Sequence, residues 1–72
     1  MPMPDMHPVS SSNIAAVGYD AENQTVYVRF LNGSTYAYKG VPEHEFENLL
    51  TAPSVGSYLN RNYKNVYPYE RA

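Results

Sequence analysis

The sequence predicts an α+β domain: a three-stranded antiparallel meander packed against two C-terminal helices, in the order β-β-β-α-α. Three observations predict it. Apolar residues recur at period two where Val26, Val28 and Phe30 alternate with Thr25, Tyr27 and Arg29. Beyond Pro42 the period changes, and Phe46, Leu49 and Leu50 fall at i, i+3 and i+4. The links between the strand-like runs are short, which favours antiparallel neighbours over crossovers.

Taken in order, residues 1–9 hold three prolines and no apolar periodicity, and read as a mobile Pro/Met-rich tail. A single ordered domain is expected over residues 10–69, with a C-terminal tail at 70–72. Its strands are Ile14 to Tyr19, Thr25 to Leu31 and Thr35 to Lys39. Asp20 to Gln24 is a polar turn between the first pair, and Asn32-Gly33 turns the second pair, since both residues tolerate positive φ. Pro42 suits a helix start, and Glu43, Glu45 and Glu47 favour its positive end. Ala52-Pro53 stops that helix, because proline disfavours the α conformation of the residue before it. Ser54 is the expected N-cap of a second helix running to about Lys64, with Val55, Tyr58, Leu59 and Asn62 inward. The last residues read as an extended tail packed through Val66 and Tyr67.

Composition narrows the function classes. The 72 residues allow one small domain, and a chain of this size buries only about 60% of its unfolded surface. With no cysteine there is no disulfide framework, no Cys-based zinc site and no thiol nucleophile. No apolar run approaches the roughly 20 residues of a membrane span, and no signal peptide is visible, so a cytoplasmic protein is expected. Without a secretory signal, Asn23-Gln24-Thr25 and Asn32-Gly33-Ser34 read as turn chemistry rather than glycosylation acceptors.

No enzyme is expected. His44 sits among Glu43, Glu45 and Glu47 and assembles no nucleophile, base and oxyanion hole. His7 and His44 have no recognised ligand spacing, so neither a metal nor a cofactor is expected.

With these elements laid out, the chain resembles the KTSC domain family, named for a C-terminal extension of some lysyl-tRNA synthetases. The matching residues are Ser12-Asn13-Ile14, Gly18-Tyr19-Asp20 and Val28 to Gly33. They continue with Tyr36-Ala37-Tyr38, Val41-Pro42 and Ala52 to Asn60, so that the resemblance spans residues 10–69. The family also occurs as free-standing bacterial and phage proteins. RNA binding, suggested by the synthetase context, is what the resemblance implies as function.

Charge and tyrosines bear on that implication. Residues 1–56 carry Arg29 and Lys39 against six acids, a net of −4, while residues 57–72 carry Arg61, Lys64 and Arg71 against Glu70, a net of +2. The basic second helix offers a phosphate-facing surface; its plainer role is to place cations near a helix C-terminus. Hairpin register decides where the tyrosines go. A two-residue Asn32-Gly33 loop puts Tyr27, Arg29, Tyr36 and Tyr38 on one face, an aromatic platform for unpaired bases. A three-residue loop Leu31-Asn32-Gly33 instead groups Val26, Val28, Phe30, Tyr36 and Tyr38 as an apolar face, leaving Tyr27, Arg29 and Lys39 outside. The second register is the more cleanly amphipathic and is preferred.

Two sets of site candidates follow. Tyr27, Arg29, Lys39, Arg61 and Lys64 are the candidate nucleic-acid contacts, for weak, salt-dependent RNA binding. Ser54, Gly56, Ser57 and Asn60 are the candidate anion site, a helix start with small residues; an ordinary N-cap with tight packing at Gly56 is the simpler reading. The alternative function is a protein-interaction or structural module, self-associating or binding a partner through an edge strand or exposed tyrosines. In that case the edge strand Ile14 to Tyr19 or Thr35 to Lys39 would pair with a partner or a second copy.

Overall fold

The computed structural model describes residues 4–72. It is α+β as expected, with both helices in place, but the sheet has five strands rather than three. These are β1 (His7–Pro8), β2 (Ile14–Asp20), β3 (Thr25–Phe30), β4 (Thr35–Tyr38) and β5 (Tyr69–Arg71), antiparallel and in the spatial order β1-β2-β3-β4-β5. Helices α1 (Glu43–Leu50) and α2 (Val55–Asn62) lie between β4 and β5 in sequence.

The two additional strands correct the expected tails. His7 and Pro8 pair with Val17 and Ala16, and the Val9 N–H donates to the Ala15 carbonyl. A proline is compatible with this position because β1 is an edge strand, which needs hydrogen-bond donors on one side only. The part of the expected tail at residues 1–3 lies outside the described residues. At the other end Tyr69, Glu70 and Arg71 pair with Tyr38, Ala37 and Tyr36, so residues 70–72 are not a free tail. The edges expected at β2 and β4 are therefore covered, and the outermost strands are β1 and β5.

The β3–β4 hairpin adopts the three-residue loop. Phe30 and Ser34 close it through the Phe30 N–H, and Gly33 sits at φ +93°, a conformation that suits glycine at the loop's last position. Val28 then faces Tyr36 and Val26 faces Tyr38. This register sends Val26, Val28, Phe30, Tyr36 and Tyr38 to the helix-covered face, where Val26, Val28 and Tyr38 are buried and Phe30 and Tyr36 are half-buried.

The core forms between that face and the helices. Ile14 and Val17 join it from β2, Phe46 and Leu49 from α1, and Val55 and Leu59 from α2. Val41 and Tyr63, from the segments beside the helices, are fully buried with them. Leu50, expected on the same stripe as Leu49, is exposed, and so is Val66. At one end Tyr19 stacks on Phe46, with ring centroids 5.2 Å apart, and its hydroxyl donates to the Val41 carbonyl at 2.6 Å.

The other face of the sheet carries Tyr27, Arg29, Ala37 and Lys39. It is partly covered where the chain before β1 passes over Gly18. A Cβ at Gly18 would lie 2.8 Å from the Asp5 carbonyl oxygen and 2.7 Å from the Met6 sulfur, so the glycine is what lets that segment approach.

Candidate functional site

On the helix-covered side the sheet does not close completely against α2. A cleft of about 130 Å³ remains, with four aromatic rings on the sheet side: Phe30, Tyr36, Tyr38 and Tyr69. The α2 side supplies Gly56, Leu59 and Asn60, continued by Lys64, and Asn13 stands just before β2. Three strands and one helix thus contribute to one hollow, and strand pairing explains how. Tyr38 and Tyr69 are cross-strand partners, as are Tyr36 and Arg71, so the rings of β4 and β5 share a face.

The aromatic contacts run continuously along this side. Phe30 meets Tyr36 edge-on at 5.6 Å, Tyr36 stacks with Tyr69 at 5.7 Å, and Tyr69 lies 5.3 Å from Tyr38. Tyr38 meets the buried Tyr63 edge-on at 5.7 Å, which fixes the row to the core. Such pairs contribute about 0.5–1.5 kcal/mol each beyond area burial and hold the rings in place. Tyr36 is half-buried and Tyr69 is 52% exposed, so ring surface stays open to an incoming ligand. Burial, and then the neighbouring Tyr69 and Tyr36, push the Tyr38 hydroxyl above the ordinary tyrosine pKa, so it stays neutral at physiological pH.

Polar groups surround this apolar floor. Lys64 lines the cleft and no carboxylate does. The guanidinium of Arg71, across from Tyr36, reaches the Ser34 hydroxyl at 3.4 Å. Asn13 and Asn60 bring two side-chain amides. Planar aromatic surface, hydrogen-bonding amides and a cation with no competing acid suit a flat, hydrogen-bonding and anionic ligand.

The sequence-derived candidates are distributed unevenly. Asn60, Gly56 and Lys64 line the cleft. Arg61 is exposed and borders a different, open groove with Ser54, Ser57 and Tyr58. Tyr27, Arg29 and Lys39 belong to the opposite face of the sheet, where Tyr27 is half-buried and Lys39 pairs with Glu70 at 3.1 Å. The five expected nucleic-acid contacts therefore do not form one surface.

The anion candidates also separate. The Ser54 hydroxyl accepts from the Ser57 N–H at 3.3 Å, an ordinary N-cap. The space beside Gly56 is filled by the protein itself, since a Cβ there would lie 2.8 Å from Asn13 Oδ1. Sequence reasoning missed Asn13, Tyr69 and Arg71 as site residues, and its preferred register gave Phe30, Tyr36 and Tyr38 to the core rather than to a site. Asn13 lay within the resemblance, but only the folded chain brings it to α2. Tyr69 joins because the C-terminal residues pair with β4.

Among the described residues no three His, Cys, Asp or Glu side chains come together as a metal-holding group. No described helix is long and apolar enough to cross a membrane.

Comparison with known proteins places this architecture. A protein of Tsukamurella paurometabola is 47% identical over 55 residues, covering 76% of this chain and 82% of that one. A lysine–tRNA ligase of Nostoc punctiforme is 35% identical over 60 residues, which are 83% of this chain but 11% of the ligase. The crystal structure of a KTSC domain protein from Yersinia pestis superimposes with a TM-score of 0.88 at 35% identity, covering 94% of this chain and 96% of the other. The KTSC domain profile matches residues 10–67, which take in β2 to α2 and the cleft residues Asn13, Tyr36, Gly56, Asn60 and Lys64. The chain belongs to the KTSC domain family.

Proposed function

We propose that this domain is a non-catalytic module that binds single-stranded RNA weakly, through the cleft between the β3–β5 face and α2. The observation that carries the reading is the cleft's composition: four aromatic rings, two amides and Lys64, with no carboxylate. Unpaired bases stack on aromatic side chains and present hydrogen-bonding edges, while their phosphates need cations. Lys64 and Arg71 supply two, enough for an accessory contact and too few for tight binding. Relatedness to a region of a lysine–tRNA ligase agrees with a role close to RNA, and a cytoplasmic location goes with it.

The alternative, strand addition by a protein partner or a second copy, would use β5 on that side of the sheet. At three residues β5 presents few free backbone groups, which favours the RNA reading.

Fluorescence anisotropy with a labelled single-stranded RNA, over a range of salt concentrations, tests the proposal. Two phosphate contacts at about −0.7 each give a log–log salt slope of about −1.4. Lys64→Gln should weaken binding and reduce the slope to about −0.7. Absence of binding at low salt, or a slope unchanged in Lys64→Gln, would contradict the proposal.

A further inference from the structure

We infer that β5 is the strand that equips the cleft for RNA, and that Lys39 and Glu70 are positioning residues that hold it from the opposite face of the sheet. This rests on the RNA reading above and adds to it the element that carries the contacts and the ion pair that keeps it in place.

β5 brings two groups that a nucleotide would meet. Its register pairs Tyr69 with Tyr38 and Arg71 with Tyr36, so both side chains share the helix-covered face with the aromatic row. Tyr69 lines the cleft and, at 52% exposed, is the most open of its four rings. Glu70, between them, belongs to the other face, where its carboxylate lies 3.1 Å from Lys39 Nζ. Neither Lys39 nor Glu70 lines the cleft. The KTSC profile ends at residue 67, and the buried core includes no residue after Tyr63. The strand therefore furnishes the cleft without building the core beneath it.

Little else holds β5. The Lys39 N–H donates to the Pro68 carbonyl at 2.8 Å and the Ala72 N–H to the Thr35 carbonyl at 2.9 Å, at either end of the short ladder. All three residues of the strand are exposed, and such elements belong to the low-stability end of a structure. An exposed ion pair contributes modestly, but a modest contribution shifts the docked fraction of a weakly held strand. Undocked, β5 takes Tyr69 and Arg71 away from the cleft, and apparent affinity falls with the docked fraction. Loss of Glu70 also makes the chain less negative, which by long-range electrostatics alone strengthens RNA binding. Positioning and electrostatics therefore predict opposite signs.

Anisotropy titrations of labelled octauridylate with the full chain, alongside hydrogen exchange at the Lys39 amide, test this. Glu70→Gln should weaken binding by about 1.4- to 5-fold, the range one exposed ion pair supplies, and should speed exchange of the Lys39 amide. The double variant Lys39→Glu with Glu70→Lys, which has the wild-type net charge and a reversed pair, should regain affinity and bind more tightly than Glu70→Gln. Binding by Glu70→Gln as tight as the wild type or tighter, or a double variant weaker than Glu70→Gln, would overturn the inference while leaving RNA binding intact. Failure of the wild type to bind would overturn the RNA reading itself, and this inference with it.

Discussion

Tyr63→Ala is expected to lower the stability of the domain by about 3–5 kcal/mol, the usual cost of truncating a large core aromatic. A 72-residue chain has on the order of 4–11 kcal/mol in all, at about 0.05–0.15 kcal/mol per residue, so the substitution should remove from about a quarter of the stability to all of it. The reason is position. Tyr63 is fully buried just after α2, and its ring contacts Tyr38, Tyr58 and Tyr67 at centroid distances of 5.7, 6.2 and 5.3 Å. Its hydroxyl donates to the Glu45 carbonyl of α1 at 2.9 Å, so one side chain joins both helices to the sheet. Tyr63→Phe keeps the ring and loses that bond, for about 1 kcal/mol. Urea denaturation of the two variants checks the prediction, and similar losses in both would show that the ring is not the anchor.

Stability is also expected to fall steeply on the alkaline side. Burial foremost, then the nearby Glu45, raise the Tyr63 hydroxyl far above the ordinary tyrosine pKa of about 10. Burial raises Tyr38 in the same direction, and Tyr19, Tyr58 and Tyr67 as well. The sign follows from which state holds the proton. Below pH 10 these tyrosines are protonated in both states and the stability is fully present. Above it the unfolded chain releases protons that the folded chain retains, so stability declines as pH rises towards the folded pKa values. Tyr63 alone contributes a slope of about 1.4 kcal/mol per pH unit in that range. Denaturation midpoints at pH 8, 10 and 11 should be level and then drop, with a shallower drop in Tyr63→Phe. A midpoint unchanged at pH 11 would refute the burial of these hydroxyls. On the acid side Asp20 acts oppositely. The Asn23 side chain holds its carboxyl below the ordinary range, so its small contribution is lost as pH falls through the folded pKa.

The central hairpin, the helices and the core were legible because local chemistry and periodicity agree there. Gly33 fixes the loop, the loop fixes the register, and the register sends Val26, Val28 and Tyr38 inward. Ser54 caps α2 as its position ahead of Val55 implies. The outer strands were not legible. His7–Pro8 and Tyr69–Arg71 are two and three residues long, lie beside prolines, and gain strand geometry only from their neighbours. Local pattern cannot report a pairing of that kind. Leu50 fits the helical spacing of Leu49 yet falls outside the narrow stripe that reaches the sheet.

The candidate site was legible in pieces. Gly56, Asn60 and Lys64 were singled out, but for an anion and a basic helix rather than for a cleft. Gly56 serves the Asn13 side chain, a relation between residues 43 positions apart that no spacing rule encodes. Tyr69 depends on β5, so missing that strand meant missing the ring. Arg29 and Lys39 were grouped with Arg61 and Lys64 by charge alone, and the sheet separates them.

The most direct test is an amide-resolved NMR titration of the full chain with octauridylate at low and at moderate salt. Shifts that cluster at Asn13, Tyr36, Gly56, Asn60, Lys64 and Tyr69, and shrink as salt rises, are the predicted result. A spectrum that does not move, or shifts confined to Tyr27, Arg29 and Lys39 on the opposite face, would contradict the cleft as the RNA-binding site.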